Sequence, residues 1–197
     1  MIGDLSGRIA VIGWGSLLWD LDDLAPQVDG HWLTEAGPAL PLEFSRVSPK
    51  RLMSLVVVID PDHGVPCPSH AIASRRRSVE AAAADLAQRE RASPDFIGRH
   101  DAVNGATRSS DPRIGALFAE WCAKTGAAGA VWTDLPANFR QATGAPFTVP
   151  AGIDYLRGLA RPSLTEAKRY IDSAPSQTDT PLRRALAADP WWTGLRR

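Results

Sequence analysis

A chain of 197 residues, 44% of them hydrophobic, is long enough to bury one substantial core. Its 22 lysines and arginines balance 22 aspartates and glutamates, so no net field favours nucleic acid or an anionic membrane as a partner. Cys67 and Cys122 stand far apart with no paired spacing, which argues against a disulfide scaffold or a zinc site and fits a reducing, cytoplasmic setting.

In chain order, the first signal is Ile9-Ala10-Val11-Ile12-Gly13-Trp14-Gly15-Ser16-Leu17-Leu18-Trp19. Four apolar residues predict a buried strand, and Gly13 and Gly15 then end it. This apolar run is too short to span a bilayer and lies inside the glycine motif rather than before a cleavage site, so a soluble chain is expected. Amides from Trp14 to Leu17 converging on one point would make a concave set of donors suited to an anion or a carboxylate. An ordinary strand-ending turn with two glycines reads equally well from the pattern. Pro26 and Gly30 leave no room for a long helix after the turn. Leu40 to Val47 alternates, with Leu40, Leu42 and Phe44 on one face, and predicts a half-buried strand carrying Arg46. Leu52 to Ile59 predicts a central strand covered on both faces and stopped by Asp60-Pro61-Asp62-His63-Gly64. His70 to Ser74 predicts a short strand, and Arg75-Arg76-Arg77 reads as a solvated charge run.

A helix is expected from Ser78 to Arg91, with Ser78 as N-cap and Glu80 in the first turn. Its apolar stripe runs Val79, Ala83, Leu86, and its next step falls on Glu90, while Asp85, Arg89 and Arg91 are expected to face elsewhere. Partial burial and the C-terminal end of the helix dipole would both raise the Glu90 pKa toward a value useful in proton transfer. The alternative is a frayed last turn with Glu90 paired to an arginine in solvent. Pro94, Gly98, Asn104-Gly105 and Ser109-Ser110 mark a long loop. Asp111-Pro112 then opens a second helix with Ile114, Leu117, Phe118 and Trp121 on one face, ending at Gly126. Gly129 to Leu135 reads as a strand. In the tail from Pro175, Thr180-Pro181 starts a short helix, and Trp191-Trp192 would expose a large apolar patch unless docked.

Two of these pieces and one further stretch carry a resemblance. Trp14-Gly15-Ser16-Leu17 after an early apolar strand resembles the Tyr-Gly-Ser-Leu loop of the γ-glutamylcyclotransferase-like superfamily, with Trp14 at the tyrosine position. Leu86-Ala87-Gln88-Arg89-Glu90 resembles the segment ending in that family's catalytic glutamate. The stretch from Val149 to Gly158, with Ala160, Leu164-Thr165 and Tyr170-Ile171, is similar to the family's closing segment. The resemblance implies an α+β fold, a small mixed or antiparallel barrel-like sheet with flanking helices; the chain departs from it after the glutamate, where the second helix reads as an insertion. The resemblance implies one domain over 1–174 with the tail 175–197 docking on it. It also implies release of 5-oxoproline from a small γ-glutamyl compound, with no metal or cofactor. Glu90 would be the general base and then the acid, and Gly13, Trp14, Gly15, Ser16 and Leu17 would hold the substrate. Arg46 is a candidate for a substrate carboxylate, and Tyr155 is either a site residue or a core tyrosine. The extra residues 92–126 are then a lid or a decoration.

Other classes remain open at this point. Gly13-x-Gly15 after a strand could begin a dinucleotide-binding unit, although Leu18 stands where the third glycine belongs. No Gly-Lys-Ser/Thr supports a Walker loop, and no context ties Ser16 to His31, His63, His70 or His100 as a hydrolase would need. A non-catalytic protein of the same fold that binds a small metabolite is the third reading.

Overall fold

A computed structural model describes residues 5–195. The chain is mixed α+β, with one six-stranded and one three-stranded sheet, and divides into two compact units. Each unit takes two separate stretches of sequence: Met1–Ala39 with Pro68–Leu135, and Leu40–Cys67 with Pro136–Arg197. Of the expected tail 175–197, the described residues up to 195 lie in the second unit, and the extremes 1–4 and 196–197 fall outside the described residues.

The first unit is built on β1 (Ile9–Gly13), whose five residues are all buried. The remaining strands are β2 (Val28–Leu33), β6 (His70–Ser74), β7 (Ile97–Asp101), β8 (Thr107–Arg108) and β9 (Gly129–Thr133), in the order β2-β6-β1-β9-β7-β8. β1 pairs antiparallel with β6 and parallel with β9. The helix α1 (Val79–Glu90) starts as the sequence predicts, with the Ser78 hydroxyl accepting the Ala81 amide at 3.2 Å. It ends in a left-handed Arg91 (φ 48°), whose amide and that of Ala92 return to Ala87 and Gln88 carbonyls, closing the last turn. Val79, Ala82, Ala83, Leu86 and Ala87 of α1 pack with Ile9, Val11, Ile72, Ile97 and Val131 of the sheet in one apolar cluster.

Two expectations for this unit are corrected. The stretch read as a long loop contains β7 and β8, and β7 lies inside the sheet between β9 and β8. Ile-Gly-Arg-His-Asp has no strand-like alternation; Gly98 is there because any Cβ would strike the Trp132 indole across the ladder. In the helix α2 (Pro112–Thr125), Ile114, Gly115, Phe118, Trp121 and Cys122 form the buried face, while Leu117 is exposed. Phe118 stacks on Trp132 with ring centroids 3.6 Å apart.

The second unit holds β3 (Leu40–Ser48), β4 (Ser54–Ile59) and β5 (Val65–Cys67) in the order β4-β3-β5, with α3 (Phe139–Thr143), α4 (Val149–Arg157), α5 (Arg161–Ser173), α6 (Pro181–Ala188) and α7 (Pro190–Thr193). β4 is wholly buried, as expected, but it is an edge strand and β3 is the central one. β3 is more than half-buried: Glu43 and Ser45 are inside along with the apolar positions. The Glu43 carboxylate accepts the Phe44 amide at 2.8 Å and the Leu182 amide at 3.2 Å, satisfying the first turn of α6. Burial pushes its pKa up against these bonds. Trp192 is buried beneath Lys168, whose Nζ lies 5.0 Å from its ring centre, and Arg157 covers Trp191 at 5.2 Å.

Candidate functional site

The glycine turn begins where β1 stops. Gly13 has no room for a side chain, because a Cβ would lie 2.7 Å from the Trp32 ring and 3.3 Å from Leu18. Gly15 precedes a 3₁₀ turn at Ser16–Leu18, fastened by Leu18 N–H to the Gly15 carbonyl at 3.0 Å and Asp20 N–H to the Ser16 carbonyl at 2.9 Å. Such a turn leaves its first three amides without an internal acceptor. Those of Gly15, Ser16 and Leu17 have no backbone acceptor among the described residues. Trp14, Gly15 and Leu17 are buried and Ser16 is half-buried, so the donors lie at the edge of the core.

The path of α1 delivers Glu90 to this end of the sheet. Val79, its first residue, presses on Gly129, where a Cβ would be 2.5 Å from Val79 Cγ2, and Gly129 pairs with Ile9 at the start of β1. At the other end, Arg89 Nη2 and Nε donate to the Asp20 carbonyl at 2.5 and 3.2 Å. The helix therefore runs alongside β1 in the same direction and ends beside the segment that follows the glycine turn. The lengths agree, since a helix of 12 residues spans about 18 Å and a strand of five about 16 Å.

Arg89 corrects the expectation that it faces elsewhere. Its side chain is 8% exposed, while Glu90 is half-buried. Ala82, Leu86 and Arg89 repeat the four-then-three spacing of the predicted stripe three positions on, sharing Leu86 with it, and both stripes meet the core. A long aliphatic stem lets arginine occupy such a position while its guanidinium reaches a carbonyl. Gln88 and Arg91 extend the same docking toward Asp23 and Asp22, at 3.5 and 3.3 Å.

Arg46 and Tyr155 belong to the second unit. Arg46 Nη1 donates to the Pro136 carbonyl at 2.7 Å, and burial lowers its pKa. A register shift between Glu43 and Arg46 precedes it, and the Asn138 amide grips both backbone groups of Val47. The Tyr155 hydroxyl donates to the Met53 carbonyl at 2.6 Å, and its ring meets Phe139 edge-on at 5.7 Å.

The glycine turn leads into 3₁₀ turns and then the edge strand β2, so no α-helix opens at the turn, where a dinucleotide-binding unit places one. Both cysteines are free and buried, with Cys122 pushed up to about 12 by burial, which is far from a reactive thiolate. Among the described residues, no three acidic, histidine or cysteine side chains group to hold a metal ion, and no helix is long and apolar enough to cross a membrane. Comparison of the chain with family models, with curated proteins and with solved structures found no match.

Proposed function

We propose that this chain is a γ-glutamylcyclotransferase-like enzyme that releases 5-oxoproline from a γ-glutamyl compound. The observation that carries the reading is the course of α1, which runs beside β1 and ends, at Glu90, at the end of the sheet where the glycine turn lies. The reading includes the family's barrel-like closure of the sheet and a cytoplasmic setting.

The reaction is an attack of the substrate's α-amine on its own γ-carbonyl. The amine is protonated at neutral pH, so the Glu90 carboxylate first removes one proton. The nitrogen–carbon bond of the ring then forms, Glu90 hands its proton to the departing nitrogen as the bond to it breaks, and the second proton passes from the ring nitrogen through Glu90 to the freed amine, which leaves as an ammonium. Nothing is oxidised or reduced, and the carboxylate ends as it began. The amides of Gly15, Ser16 and Leu17, with the Ser16 hydroxyl, hold the α-carboxylate and bend the chain so that amine and carbonyl meet. Incubating the purified chain with a panel of γ-glutamyl dipeptides and amines, and measuring 5-oxoproline, tests this reading. Release from at least one compound supports it, and silence across the panel from a folded chain refutes it.

A further inference from the structure

Trp32 stands in the part of β2 where pairing with β6 becomes irregular, between Asp29 and Leu33. Such irregularities re-aim side chains. Its six-membered ring lies over Gly13, with Cη2 and Cζ3 at 2.7 and 3.1 Å from where a Cβ would stand, and it packs with Leu21 against the apolar cluster under α1. Across the ring system, Nε1 is closed to water and has no acceptor among the described residues. A buried donor left unpaired loses its hydration with nothing in exchange. Two other buried polar atoms share this state, Ser45 Oγ and Trp132 Nε1, but both residues are fully enclosed. Trp32 differs because the residue is only half-buried and borders the turn.

We propose that Trp32 is the specificity-determining residue of the glycine-turn site. Its ring is the wall against which the methylene chain of a γ-glutamyl ligand lies, and its Nε1–H is donated to a carbonyl or carboxylate oxygen of that ligand. The inference rests on the reading that γ-glutamyl compounds bind at this turn. Nε1 is screened from solvent, so the ring tilts off Gly13 as the ligand enters, and the ligand oxygen then satisfies the donor. A tryptophan serves here where phenylalanine would supply the wall alone.

The test uses the full chain carrying Glu90→Gln, labelled with nitrogen-15 and titrated with γ-glutamylalanine, whose turnover that variant is expected to slow by at least about a hundredfold. The Trp32 indole signal is the one lost in the double variant with Trp32→Phe. The expected result is a downfield move of that signal together with the Gly15 and Ser16 amides, and a Kd about tenfold weaker in the Trp32→Phe chain, equal to about 1.4 kcal/mol. If the turn amides move while the indole does not, and Trp32→Phe binds within about twofold of its parent (less than 0.5 kcal/mol), Trp32 is not the reader and the enzymatic reading stands. If neither moves, and the unmutated chain releases no 5-oxoproline, both fall together. Should Trp32→Phe fail to fold, the indole is assigned from backbone connectivities, and its movement in the Glu90→Gln chain alone decides the question.

Discussion

Replacing Arg89 with methionine isolates the contact that fixes the end of α1. Methionine keeps most of the apolar stem at a position 8% exposed, and removes only the guanidinium with its two bonds to the Asp20 carbonyl. Both bonds share one acceptor, so they count as one charge-assisted interaction of about 1.5–3 kcal/mol rather than two. The Asp20 carboxylate, 3.7 Å away and 51% exposed, adds little through water. The expected loss is therefore about 2 kcal/mol, or about 4–8 °C in melting temperature for a chain of this size. Urea unfolding and calorimetry read it directly. Arg91→Met is the control, since its ion pair to Asp22 is at 3.3 Å between side chains 73% and 41% exposed, and its loss is expected to be under about 0.5 kcal/mol. Because Glu90 is the next residue, Arg89→Met is also expected to lower 5-oxoproline release by up to about a hundredfold, the price of a displacement near 1 Å. An unchanged midpoint in Arg89→Met, or an equal fall in Arg91→Met, would refute this account of how α1 is seated.

Gly98→Ala drives a methyl group into the Trp132 indole, which is clamped against Phe118; a loss of about 3 kcal/mol or more is expected in urea unfolding. Leu86→Ala, at a fully buried position under the sheet, is expected to lose about 2–5 kcal/mol in the same assay. His70 and His100 are both buried and their pKa values are lowered by desolvation, below the unfolded value near 6.5. The unfolded chain then binds protons more readily than the folded one, so the stability these residues support is present above about pH 6.5 and lost as pH falls through their folded values. Unfolding free energy measured from pH 7.5 down to 5 is expected to fall, and less steeply in a variant with both replaced by glutamine.

Local signals made much of the first unit legible. Ser78 and the alanine-rich run after it specify α1 within its own residues, and the burial of Ile9–Gly13 follows from an apolar run that meets two glycines. Non-local pairing hid the rest. β7 is a strand because β9 and β8 pair with both its edges, not because Ile-Gly-Arg-His-Asp prefers one. The division into units was also hidden, since each combines segments separated by more than 25 residues of the other. At the site, the turn and Glu90 could be named from spacing, but Arg89 looked like surface charge until a carbonyl appeared above it. Trp32 gave no periodic signal at all; its place follows from an irregular strand folding over a glycine.

The most direct test of Glu90 as the proton carrier is single-turnover 5-oxoproline formation by the unmutated chain, by Glu90→Gln and by Glu90→Asp, each shown to be folded. General acid–base catalysis by one side chain contributes about 10²–10⁴-fold, so Glu90→Gln should lose at least about a hundredfold in rate. Glu90→Asp, which keeps the carboxylate but draws it back, should retain part of the rate. Turnover by Glu90→Gln at the unmutated rate would contradict the account.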